Sequence, residues 1–160
     1  MSRTQLCVVA AAVAFTAVAQ PVAADPMEVE LNAVMATVHR YVNSYNSGDV
    51  KAEIAACASP ASIIDAIPPH HWQGPNACAD WASADAEASK RGNISSAVVT
   101  LGKPSDVEID GADAYVANPA TFTYKAHGKP QKQSAVWTFA LHKTLAGWRI
   151  TGWTWGLTHP

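Results

Sequence analysis

Asp65 follows Ile63-Ile64 and precedes Ala66-Ile67. A carboxylate in apolar surroundings loses hydration, which raises its pKa towards the range of a general base. The same position also suits a strand-end Asp that accepts backbone N–H bonds in the Pro-containing turn beyond it. Tyr41 has two roles open to it. It can donate a hydrogen bond to a substrate carbonyl whose charge grows in the transition state, or fill the core as a helical aromatic, with Tyr45 next along that face. His70 and His71 follow Pro68-Pro69, and an imidazole titrating near neutrality can act as general acid or base; equally, both can be exposed loop residues. Adjacent histidines on a strand point apart and no ligand cluster is nearby, so no metal site is expected. Trp72, Trp137, Phe139, Trp153 and Trp155 suit the wall of a cavity for a flat apolar ligand. They suit ordinary core, or a face between two copies of the chain, just as well.

The elements that position these residues are legible in outline. Asp25-Pro26 opens a helix, with Asp25 as cap and Pro26 at the first helical position. Apolar residues then recur at helical period from Met27 through Leu31, Val34, Val38, Tyr41 and Tyr45, until Asn46-Ser47-Gly48 stops it. Asp49 caps a short second helix ending near Ala58, before Ser59-Pro60. Residues 61–65 and His71-Trp72 predict brief strands. Pro75 opens a third helix that carries Cys78 and Trp81 and closes at Arg91-Gly92. The second half alternates as strand over 95–101, 107–109, 114–125, 133–143 and 148–155, with Asp110-Gly111 and His127-Gly128 as turns. Trp137, Phe139 and Leu141 share a face, as do Trp153 and Trp155 on the following strand. Helices first and an antiparallel meander afterwards predict an α+β domain.

Composition and targeting narrow the classes. The chain has 160 residues, of which 49% are hydrophobic and 15% charged, which excludes intrinsic disorder and supports one domain. A formal net charge of −2 without a basic block excludes an electrostatic grip on nucleic acid. Arg3, the apolar run Leu6–Val18 and the small residues Val22-Ala23-Ala24 predict a signal peptide over residues 1–24, with Ala17-Val18-Ala19 as a second cleavage option. The run is too short to span a bilayer, so the mature chain is expected to be periplasmic or secreted, with no membrane attachment. Cys57 and Cys78 then remain, and an oxidising compartment predicts a disulfide between them; two buried thiols packed as small hydrophobes are the alternative. No phosphate-binding Gly loop and no nucleophile motif is present.

The order of elements, with Arg40-Tyr41-Val42, Asn46-Ser47-Gly48-Asp49, Ile63-Ile64-Asp65, Trp72-Gln73-Gly74 and Gly147-Trp148-Arg149-Ile150, resembles the nuclear transport factor 2-like superfamily. That group includes steroid delta-isomerases, scytalone dehydratases and SnoaL-type polyketide cyclases. The resemblance covers residues 27–157. It implies three N-terminal helices packed on a strongly bent antiparallel sheet, a cone with an internal pocket. In the steroid isomerases a Tyr after an Arg on the first helix is an oxyanion donor, and the general-base Asp lies 24 residues later. Tyr41 after Arg40, with Asp65 24 residues beyond, matches that spacing. Their second, acidic donor has no counterpart here: the corresponding strand reads Ala135-Val136-Trp137-Thr138-Phe139, where the indole N–H of Trp137 is the available donor. Scytalone dehydratase-like members use His and Asp beside Tyr, which draws His70 and His71 into the same set.

The function expected is an exported protein that holds a small apolar molecule in a conical pocket. An isomerase-, dehydratase- or cyclase-type enzyme is a second expectation, with Asp65 as base and Tyr41 as donor. A non-catalytic dimeric interaction module is a third. No cofactor is implied, and a homodimer through the sheet is implied by the resemblance alone.

Overall fold

The computed structural model describes residues 25–158; the expected signal peptide lies outside the described residues. Helix α1 (Pro26–Ser47) begins as its sequence dictates, with the Asp25 carboxylate accepting from the Met27 N–H at 2.9 Å. Val34, Val38, Tyr41 and Val42 fall at i, i+4, i+7 and i+8, and this stripe is the buried one. Gly48 ends the helix with φ of 72°, a left-handed conformation that costs a residue without Cβ little. Asp49 then caps α2 (Val50–Ala56) by accepting from the Ala52 N–H at 3.0 Å.

After α2 come β1 (Cys57–Ile64), β2 (His71–Gly74), α3 (Ala77–Arg91), β3 (Ile94–Leu101) and β4 (Asp106–Asp110). Strands β5 (Asp113–Ala126), β6 (Lys129–Thr144) and β7 (Gly147–Leu157) complete the chain. The strands form one seven-stranded sheet in the order β2-β1-β7-β6-β5-β3, with β4 also pairing β5. The α+β architecture, its three helices and the two hairpin turns stand as the sequence predicts. Two boundaries differ. The second helix stops at Ala56, and the first strand starts at Cys57 instead of residue 61. Pro60 reads as a breaker, yet it sits where the β1–β7 register shifts between Cys57 and Ser62, a place that needs no N–H in the ladder.

The sheet is mixed, whereas the sequence predicts an antiparallel one. All pairs are antiparallel except β1–β7, which runs parallel with Ile63 opposite Trp153. A parallel neighbour arises because the last strand returns beside the first after the long excursion through β2 and α3, a contact with no local signature. Gly152 makes that approach feasible: a Cβ there would meet the Ser62 carbonyl oxygen at 2.7 Å. Further register shifts between Ser95 and Val98 and between Ala140 and Leu141 bend the ladders.

Helix α1 is pinned to the sheet at both ends. Near its start, Glu30 accepts from the Trp148 Nε1–H at 3.1 Å and pairs with Lys143. Near its end, the Asn46 side chain pairs with the main chain of Val99, donating to its carbonyl and accepting from its N–H, each at 2.8 Å. The core between them holds Val34, Val38, Tyr41, Ile63, Phe139 and Ile150, all with no exposure. Cys57 and Cys78 form a disulfide that ties the start of β1 to the first turn of α3. By the loop-closure argument, replacing both cysteines with alanine should lower stability by about 3 kcal/mol. Urea unfolding of C57A/C78A against the oxidised wild type measures this, and an unchanged midpoint would contradict it.

Candidate functional site

Helix α3 presents Trp81, Asp85, Ala88 and Ser89 along one face, spaced i, i+4, i+7 and i+8. That face, the loop after β1 and the inner sides of β3, β5, β6 and β7 enclose a cavity of about 260 Å³. Its wall is largely aromatic. Trp81 meets Trp153 edge to face with ring centroids 4.8 Å apart, and Trp137 meets Trp155 in the same manner at 5.2 Å. Phe122 and Tyr124 stack at 4.7 Å. The Trp137–Trp155 contact follows from the register, which sets Trp137 opposite Trp155 and Phe139 opposite Trp153.

Asp65 stands on this wall. Its Oδ2 accepts from the Trp81 Nε1–H at 2.9 Å and its Oδ1 from the Ile67 N–H at 3.3 Å. Burial raises its pKa; the Trp81 bond, the N–H groups of Ile67 and Ala66 and the nearby His70 act the other way. The loop is closed by the His70 N–H donating to the Ile67 carbonyl at 2.8 Å and the Asp65 N–H donating to the His70 carbonyl at 3.1 Å. Asp65 is thus a strand-end Asp that accepts a backbone bond and whose half-buried carboxyl lies on the cavity wall.

Other expected site residues divide. Trp137, Trp153 and Trp155 line the cavity. Trp72 and Phe139 are buried in the core, and neither is among the lining residues. Tyr41 is likewise core: it has no exposure, is ringed by Trp137, Phe139 and Trp153 within 6.3 Å, and does not line the cavity. The reason is position along the helix axis. One turn later, Tyr45 reaches the cavity from the same face of α1. His70 and His71 are exposed and are not among the lining residues. The His70 Nδ1 lies 3.2 Å from the Asp65 carbonyl oxygen, and the His71 Nε2 lies 3.1 Å from Ser62 Oγ. Among the described residues no group of His, Cys, Asp or Glu has metal-ligand geometry.

Two carboxyls join the site that sequence reasoning missed. Asp85 lines the cavity, and burial together with the Asp65 charge pushes it up to about 6. Its signal was present: Cys78, Trp81 and Asp85 fall at i, i+3 and i+7, so the face that buries the first two also turns the third inwards. Glu53 on α2 is 3% exposed and lies against Tyr41. Burial pushes it up to about 7, with the Tyr41 hydroxyl acting in the opposite direction. Tyr41 Oη, Glu53 Oε1, Trp137 Nε1 and Trp153 Nε1 are all buried without a hydrogen-bond partner. Nothing in a seven-residue helix whose single acidic residue is Glu53 foretells such burial.

A carboxyl whose pKa is higher in the folded state than in the unfolded chain favours folding at low pH and opposes it once ionised. Glu53 therefore lowers stability progressively as pH rises from about 4.5 to about 7. Glu53→Gln should flatten that slope, leaving stability near pH 4 little changed and raising it at pH 8 by on the order of 2 kcal/mol. Denaturant midpoints of both proteins at the two pH values check this; a variant destabilised equally at both would contradict it.

The sequence matches the SnoaL-like domain over residues 34–154. A search of the curated proteins finds no match. Among solved structures, a nuclear transport factor 2-like superfamily protein from Salmonella enterica serovar Typhimurium superposes with a TM-score of 0.71 at 17% identity, covering 84% of this chain and 94% of that one. A nuclear transport factor 2-like protein with a cystatin-like fold from Novosphingobium aromaticivorans gives 0.67 at 16%, covering 82% and 83%. A ketosteroid isomerase-like protein from Erwinia carotovora atroseptica gives 0.65 at 17%, covering 82% and 98%. At such identities the structural matches speak for the fold alone. With the family match spanning most of the described residues, the chain belongs to the SnoaL-like domain family.

Proposed function

We propose that this domain binds a small, largely apolar molecule in the cavity between α3 and the sheet. The observation that carries this is the aromatic wall, built from Trp81, Phe122, Trp137, Trp153 and Trp155 around about 260 Å³. Such a space suits a ligand of one or two fused rings and offers few polar groups to orient it. The Cys57–Cys78 disulfide and the leader expected over residues 1–24 support placing this activity outside the cytoplasm. No described helix is long and apolar enough to cross a membrane.

A second reading, proton transfer, is favoured by Asp65. Its carboxyl is desolvated, fixed by Trp81 and faces the place a ligand would occupy. On a ligand with a carbonyl group, Asp65 would remove a proton from the adjacent carbon. The charge developing on oxygen needs a donor. Tyr41, expected in that role, lies in the core behind the wall. Trp137 and Trp153 are both wall residues with unpaired indole N–H groups; Trp137, on the strand where the steroid isomerases carry their second donor, takes the donor's place in this reading.

Binding is tested with N-phenyl-1-naphthylamine, a neutral apolar fluorophore. Its emission should rise on mixing with the wild type. Ala88→Trp, which fills the cavity from α3, should abolish the rise while circular dichroism stays unchanged. No rise with the wild type refutes the binding proposal. Proton transfer is tested by following solvent deuterium exchange into 2-tetralone by NMR. The wild type should accelerate exchange, and Asp65→Asn should lose on the order of 10²-fold of that acceleration. Absence of acceleration removes the catalytic reading and leaves a binding module.

A further inference from the structure

The cavity wall combines two carboxyls with aromatic faces and carries no cation. Asp65 enters from the loop after β1 and Asp85 from α3, and no lining residue is Lys, Arg or His. Asp65 has hydrogen-bond donors in Trp81 and Ile67. The Asp85 side chain makes no hydrogen bond or ion pair among the described residues, although it is partly buried on the wall. Facing these acids are Phe122, Tyr124, Trp137 and Trp155. An aromatic face carries negative potential and attracts a cation whose own hydration is weak, as in a quaternary or bulky protonated amine. An anion would meet only like charge here, and a purely neutral ligand would leave the Asp85 carboxylate desolvated without compensation.

We infer that the cavity selects an organic cation: a quaternary or protonated amine on a ring-containing body, with its charge beside Asp65 and Asp85 and its body against the aromatic wall. This rests on the small-molecule reading above and names the ligand class for the same site. The groups that face Asp85 are Asp65, Glu53 on α2 and Tyr45 on α1. All of them are acidic; the one basic group acting on the cluster is His70, which lies beside Asp65 on the exposed loop outside the cavity wall. Binding should consequently weaken as pH falls through about 6, where Asp85 takes up its proton.

The test compares benzyltrimethylammonium with its uncharged carbon isostere, neopentylbenzene, by tryptophan fluorescence titration of the oxidised protein at pH 8. The inference expects the cation to bind about tenfold tighter or better. It expects Asp85→Asn and Asp65→Asn each to erase most of that preference. Equal or tighter binding of neopentylbenzene overturns the inference and leaves the apolar pocket standing. A preference that survives in both variants overturns it too, since the charge would then be recognised elsewhere. If neither compound binds, the inference fails. N-phenyl-1-naphthylamine then separates the cases: its binding retains the pocket, and its failure removes both readings together. Thermal melts of the two variants confirm that lost preference is not lost fold.

Discussion

The indole N–H of Trp81 and the carboxylate of Asp65 lie 16 residues apart in the chain, and their hydrogen bond sets the geometry on which the cavity depends. Helix α3 is already anchored at its first turn by the Cys57–Cys78 bridge. One such point leaves a helix free to rotate about its axis. The Trp81 side chain removes that freedom, because it packs edge-on against Trp153 and donates to Asp65 in the same pose. Once the rotation is fixed, the helical repeat carries Asp85, Ala88 and Ser89 to the same side. The bond also keeps a desolvated carboxylate at tolerable cost, since a buried charge with a donor is far less unfavourable than one without.

Beneath the cavity the polar groups are less well satisfied. Tyr41 Oη, Glu53 Oε1 and the indole N–H groups of Trp137 and Trp153 are close-packed and unpaired. Buried polar atoms without partners are rare and each lowers stability. Glu53 and Tyr41 shift each other's titration, Glu53 and Asp85 interact, and Asp85 feels Asp65. The acids therefore form a continuous electrostatic chain from α2 to the cavity wall. A fold optimised for stability alone would place leucine or methionine at such positions. That the chain instead spends polar residues there supports a site whose chemistry faces inwards.

Much of this was legible. The antiparallel half follows from turn chemistry and period-two alternation, and the alternation also put Trp137 and Phe139 on one face of a strand and Trp153 and Trp155 on one face of the next. Asp65 was legible because its immediate neighbours are apolar. What escaped has a common cause. The parallel β1–β7 contact joins segments some ninety residues apart and depends on a missing Cβ at Gly152, which no local pattern encodes. Asp85 and Glu53 are acidic residues on helices, where solvent exposure is the ordinary outcome; only the packing of α2 and α3 against their neighbours buries them. Tyr41 illustrates the opposite error. Its spacing to Asp65 fits an enzyme's pair, yet one turn of helix separates the position that fills the core from the position, Tyr45, that reaches the cavity.

The clamp between Asn46 and Val99 has an uneven consequence for how the two positions can change. Asn46 offers an amide to an amide: its side chain donates to and accepts from one residue's main chain, like an extra rung of sheet supplied by a helix. That demand falls wholly on position 46, where aspartate lacks the donor and glutamine carries an extra methylene. Position 99 contributes only its backbone to the pair, so any apolar side chain that packs there satisfies the bond equally. In a lineage or a designed library, substitutions should thus accumulate at 99 while 46 stays fixed. The junction between helix and sheet is in this sense written in one residue and read by a partner whose identity does not matter.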